Sequence, residues 1–160
     1  MGRARHALLG AFVCALVAAP ARADLTGFIG ANTTPANRDV RGVAIGVGLL
    51  IVGFEFEYAS TTEDPAASAP SLKTGSGNLL LQTPGAFFGF QPYLATGGGL
   101  YQEELGTHKD TGFGLNTGGG VKVDLIGPIR LRLDYRVFKQ GSGALNSTAH
   151  RVYAGLNLKF

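Results

Sequence analysis

Apolar and polar positions alternate with period two along most of the chain beyond residue 24, the pattern of half-buried β-strands and not of helices. The alternation is clearest at 52–60, where Val52, Phe54, Phe56 and Tyr58 share one face and Gly53, Glu55 and Glu57 the other. It recurs at 129–139, with Ile129, Leu131, Leu133, Tyr135 and Val137 opposite Arg130, Arg132, Asp134 and Arg136. At 112–124, Phe113, Leu115, Val121 and Val123 alternate with Gly114, Asn116, Gly118, Gly120, Lys122 and Asp124, and at 150–160 Val152, Ala154, Leu156, Leu158 and Phe160 oppose Tyr153, Gly155, Asn157 and Lys159. Weaker segments at 25–32, 40–49, 76–84 and 89–101 bring the expected strands to eight.

The connections alternate in length. Polar stretches at 33–39, 61–75, 102–111 and 140–149 read as long loops, and 50–51, 85–88 and 125–128 as tight turns, the last marked by Ile126-Gly127-Pro128. The break at 50–51 carries the least turn chemistry. An even number of strands places the start of the barrel and Phe160 at one end, facing the periplasm if the long loops are outside the cell.

The start of the chain has a different grammar. Arg3, Arg5 and His6 precede a thirteen-residue apolar run at 7–19, then Pro20 and Ala21-Arg22-Ala23. The run is short for a membrane helix, and Ala21 and Ala23 fit cleavage before Asp24, so 1–23 is expected to be a cleaved secretory signal peptide and 24–160 a single exported domain. Cys14 does not mark a lipoprotein, because Phe12 and Val13 before it are not small; it leaves with the leader, taking thiol chemistry with it. Of the 14 Lys and Arg, three (Arg3, Arg5 and Arg22) leave too, so 11 remain against 11 Asp and Glu. The basic balance disappears on processing, and with it any support for a nucleic-acid partner. No apolar stretch beyond the leader is long enough for a spanning helix. The expected architecture is therefore all-β, an eight-stranded antiparallel up-and-down transmembrane β-barrel in which every backbone group pairs between strands.

The stretch GGGVKVDLIGPIRLRLDYRVFK and the terminal strand HRVYAGLNLKF resemble the family of small outer-membrane β-barrel proteins that includes OmpA-like, OmpX-like and opacity-type porins. The resemblance spans about residues 25–160. It implies localisation in the bacterial outer membrane, contact with outer-membrane lipid, and a terminal strand whose Leu156, Leu158 and Phe160 are read by the barrel-assembly machinery. It is nearly silent on activity, since family members serve as adhesins, anchors, stress proteins and minor channels.

The face opposite the apolar one carries the charge, and in a lipid-facing arrangement it points into the lumen. Glu55, Glu57, Lys122, Asp124, Arg130, Arg132, Asp134 and Arg136 form the candidate lumen cluster. In an ordered eight-strand barrel the third and seventh strands lie across from each other, so Glu55 and Glu57 are expected to meet Arg130, Arg132 and Arg136, with inward Gly114, Gly118, Gly120 and Gly155 making room. A salt-bridged plug follows; a gated solute path is the alternative. Outside, Phe54, Phe56, Tyr58, Phe113, Tyr135 and Phe160 are candidate interfacial aromatics. A soluble periplasmic barrel would reverse the two faces.

Other chemistry finds little support. His150 sits on the lipid-facing parity with Ser147 close by, the residue types of a lipid A deacylase, but Thr148 and Val152 occupy the positions two residues away, so no His-x-Ser pair shares a strand face and no catalytic residue is assigned. His108, Glu103, Glu104 and Asp110 are metal-ligand types in what reads as a solvated loop, and no metal site or cofactor is assigned. In GFGLNTGGG, Thr117 stands where a dinucleotide loop needs its third glycine, and no helix pattern follows. The expectation is a non-enzymatic outer-membrane barrel with a structural or adhesin-like, surface-binding role, its loops contacting an extracellular ligand; a narrow channel for small solutes is the alternative.

Overall fold

The computed structural model describes residues 22–160, so the expected leader lies outside the described residues except for Arg22 and Ala23, which open the first strand. Eight strands follow in order: β1 (Arg22–Asn32), β2 (Arg38–Leu49), β3 (Val52–Thr61), β4 (Ser71–Gln82), β5 (Phe90–Leu105), β6 (His108–Ile126), β7 (Ile129–Lys139) and β8 (Thr148–Lys159). Each pairs antiparallel with its sequence neighbour, and β1 closes on β8 with Asp24 opposite Lys159 and Asn32 opposite Arg151. The result is a closed up-and-down barrel without sheet edges, so backbone N–H and C=O groups are satisfied around the whole wall.

Two expected boundaries are corrected. The third long connection, expected at 102–111, is a two-residue turn at 106–107, because β5 and β6 continue past the apolar band and pair Gln102 with Thr111 and Glu103 with Asp110. Those residues are polar on both faces, so backbone pairing continues where the apolar alternation has ended; Gly106 makes the turn with φ +56°. β4 starts at Ser71 rather than 76, shortening the second loop to 62–70, which contains one 3-10 turn at Pro65–Ala67. Outward positions of early β4 are Lys73, Gly75 and Gly77, which supply no apolar signal to reveal the strand. The weakly marked break at 50–51 is a real turn, with Leu50 at φ +54°.

The apolar face is outside. Phe56, Leu94 and Leu156 are 63, 64 and 62% exposed, with Ile29, Phe54, Leu100, Phe113 and Leu115 beside them on the wall. Charged and amide side chains are buried within, including Glu57, Arg132, Arg136, Arg151 and Asn157. A water-soluble protein does not expose a continuous apolar wall and bury its arginines. This polarity suits a lipid-facing barrel and excludes the reversed, soluble arrangement of faces. The aromatics at the mouth holding the termini exceed those expected from the pattern: Phe87, Phe88 and Phe90, in and beside the 83–89 turn, are exposed like Phe160.

Inside, Phe28 stacks on Tyr153 with ring centroids 4.0 Å apart. Leu72, Tyr101, Phe138 and Ala149 form an apolar layer under the long loops, and Leu80, Tyr93 and Ala95 another toward the termini. Inward glycines admit close contact between these layers and the walls: a Cβ at Gly120 would sit 2.1 Å from the Leu133 carbonyl oxygen and 2.6 Å from Tyr93 Oη. Gly120→Val is therefore expected to lower barrel stability by about 1–3 kcal/mol, whereas Gly77→Ala, whose Cβ meets nothing within 4 Å, should stay within about 0.5 kcal/mol of the parent. Urea unfolding in micelles checks both, and equal midpoints for the two variants would contradict the packing described.

Candidate functional site

The strand period places Glu55 and Glu57 on the inner face of β3, Arg132, Asp134 and Arg136 on that of β7, and Arg151 and Tyr153 on that of β8. They meet in one continuous network near mid-barrel. Arg132 grips Glu55 with both terminal nitrogens, Nη1 on Oε2 and Nη2 on Oε1 at 3.2 Å, and Nη2 also reaches Asp134 Oδ2 at 3.0 Å. Its Nε donates to Tyr93 Oη at 2.7 Å, and Tyr93 in turn donates to Asp134. Arg136 binds Glu55 Oε1 at 2.8 Å and Asp134 Oδ1 at 3.0 Å, and its Nη1 lies 3.4 Å from Glu57 Oε2. Arg151 completes the set, donating to Glu57 Oε1 at 3.0 Å and Thr74 Oγ1 at 3.1 Å, while Tyr153 Oη donates to Glu57 Oε2.

Three guanidinium groups thus face three carboxylates with no water-exposed member. Every acid accepts from at least two donors, the condition under which buried ions persist. Aromatic faces add to the cation environment: Arg132 lies over Tyr93 at 4.9 Å and Arg151 over Phe138 at 4.3 Å from the ring centroids. The arrangement holds register and fills the lumen; it offers no unoccupied nucleophile or base.

The remaining candidate cations lie toward the termini. Lys122 and Arg130 both bind Asp24 rather than the acids of the main network. Asp124 is the exception: it is exposed, beside a register shift between Asp124 and Ile126 that carries it to the mouth and out of the packed cluster. Residues absent from the expected set are Asp24, Tyr93, Arg151 and Tyr153. Arg151 and Tyr153 share the parity of Asn157, so their inward direction was readable. Asp24 was hidden at the leader boundary, and Tyr93 lies in FQPYLATGGG, where proline and glycines blur the alternation.

His150 is on the outer wall, where Tyr135 Oη lies 2.7 Å from its Nδ1, and the Ser147 backbone carbonyl accepts from Gln140 N–H. The four metal-ligand types at the loop end are engaged separately or exposed. Glu103 accepts the Leu145 N–H at 2.8 Å, Glu104 pairs with Lys109 at 2.8 Å, Asp110 accepts from Tyr101 at 2.8 Å, and His108 is exposed.

Removing one member of the network should cost more than removing a pair. Glu55→Ala leaves Arg132 and Arg136 short of a carboxylate and is expected to destabilise the barrel by about 3–5 kcal/mol, part of which Glu55→Ala with Arg132→Met should recover. Urea unfolding of the two variants reads this directly. A single variant as stable as the parent would show that the ions are dispensable.

No protein-family model and no curated protein sequence matches the chain. Solved structures do. Neisserial surface protein A aligns with TM-score 0.67 at 17% identity, covering 88% of this chain and 96% of its own. The N-terminal β-barrel domain of OprF from Pseudomonas aeruginosa aligns with TM-score 0.64 at 17% identity, covering 87% and 97%. The outer membrane enzyme PagL aligns with TM-score 0.55 at 11% identity, covering 84% and 98%. At these identities the likeness is one of fold, and the fold this chain shares is that of the small outer-membrane β-barrels.

Proposed function

We propose that the chain is exported by the leader at 1–23, inserts residues 24–160 into the bacterial outer membrane, and serves there in a structural or surface-binding role. The observation that carries this reading is the filled lumen: Arg132, Arg136 and Arg151 are fully buried in a charge-balanced cross-link between β3, β7 and β8. The loop end is also covered. Ala69 and Pro70 of the second loop are buried, and Ala144 packs on the apolar layer under the mouth. A lumen occupied in this way leaves the long loops as the surface available to partners. The name of Neisserial surface protein A fits such a role, although PagL demonstrates that an outer-membrane protein of this fold can also be an enzyme.

In this orientation the termini and short turns face the periplasm, and 33–37, 62–70 and 140–147 face outward to an extracellular ligand. Outer-membrane lipid covers the apolar wall. Leu156, Leu158 and Phe160, exposed on the outer face of the closing strand, are the signal offered to the barrel-assembly machinery. The reading is non-enzymatic, with His150 engaged by the Tyr135 hydroxyl on the outer wall.

Membrane fractionation with gels run before and after boiling tests the placement: a heat-modifiable band in the outer-membrane fraction is expected, and recovery in the osmotic-shock fluid would contradict it. Purified barrels in planar bilayers should be electrically silent; a conductance altered by Glu55 or Arg132 substitution would instead establish a narrow solute channel. Overexpression should leave the lipid A mass unchanged, and a mass change abolished by His150→Ala would make the protein an enzyme.

A further inference from the structure

We propose that the recess at the terminal mouth of the barrel binds a small oxyanion, of which phosphate is the simplest. Lys122 Nζ and Arg130 Nη2 converge on one carboxylate oxygen, Asp24 Oδ2, at 2.6 and 3.1 Å. Both cations are more than nine-tenths buried. Arg130 is held in place by Nε on Asn157 Oδ1 at 2.7 Å and Nη1 on Gln91 Oε1 at 2.9 Å. Among the described residues the Lys122 ammonium donates to Asp24 alone, leaving two of its three N–H groups for another acceptor.

These groups line a recess of about 90 Å³ whose rim adds Arg22, Lys159 and the Gln82 side chain. One water needs roughly 10–15 Å³ of such space, so the recess has room for several waters or one tetrahedral oxyanion. The charge count separates this site from the network above it. There, three arginines meet three acids; here, the two buried cations, Lys122 and Arg130, meet Asp24 as the one buried carboxylate, while Arg22, Lys159 and Asp124 lie toward the water-exposed rim. Two buried cations against one carboxylate leave a net positive charge, and an anion with several acceptor oxygens supplies both a countercharge and further acceptors for the Lys122 ammonium. Cleavage before Asp24 would remove Arg22 and leave an α-ammonium group on Asp24 at the same mouth. The terminal ammonium and the periplasmic direction of the mouth rest on the proposed export; binding itself, measured in micelles, does not.

The mature protein, refolded in a phosphate-free maltoside detergent, is titrated with inorganic phosphate and followed by amide chemical shifts. Saturable shifts confined to Asp24, Gln91, Lys122, Arg130 and Lys159 are expected, with none for chloride at matched ionic strength. Lys122→Gln should raise the apparent Kd by about tenfold or more. Lys159→Gln, at the rim and without an ion pair among the described residues, keeps the test intact if the first variant does not fold, and should weaken binding in the same direction. Non-saturating shifts, or an unchanged Kd in folded Lys122→Gln or Lys159→Gln, would overturn the site. Nanodiscs with and without anionic phospholipid then distinguish the source: shifts at the mouth without free phosphate assign the oxyanion to a lipid headgroup, and shifts that require free phosphate assign it to solution.

Discussion

Closure of β1 on β8 is the constraint from which the other features follow. An open eight-stranded sheet would leave two edges of unpaired N–H and C=O groups, which lipid cannot satisfy. Once Leu25 pairs with Leu158 and Ala31 with Val152, the wall is continuous and each strand has two unlike environments at successive residues. Period-two alternation is the chain's way of serving both. The same closure sets the lumen's size, and eight strands leave only enough space for side chains.

That narrow interior explains why polar residues there occur as a connected set. A buried arginine without partners is costly, and Arg132, Arg136 and Arg151 share Glu55, Glu57 and Asp134 so that each charge has several partners; Arg38 at the loop end, which among the described residues donates to the Thr34 carbonyl alone, is the exception. Gly118 lets β6 lie close against the Tyr135 and Arg136 backbone of β7, and Gly120 removes side-chain volume where the Tyr93 hydroxyl approaches the wall. The tyrosines serve twice, packing as apolar bodies and hydrogen-bonding through their hydroxyls to Asp134 and Glu57. Toward the termini the balance changes, and Asp24 serves two cations at once.

Much of this was readable from residue order. In β3, β7 and β8 large apolar residues alternate with charges or amides, so the pattern yields both the strand and the direction of each side chain. β4 was less readable because glycine replaces apolar residues on its outer face, and the β5–β6 hairpin because it runs beyond the lipid band, where neither face has to be apolar. Partnerships were harder than directions. Opposition of β3 and β7 brings Glu55 to Arg132, but the stagger of strands around the barrel decides that Glu57 is shared with Arg151 and that Asp124 stays at the rim.

The claim that apolar side chains face lipid while polar ones fill a closed lumen can be tested most directly by site-directed spin labelling. Residues 24–160 contain no cysteine, so single cysteines can be placed at outward Leu94 and Leu115 and at inward Ala95 in the protein reconstituted in bilayers. This arrangement predicts labels at 94 and 115 relaxed by lipid-soluble oxygen and not by a water-soluble nickel chelate, and a label at 95 shielded from both. Preferential relaxation of the outward labels by the nickel chelate would contradict it.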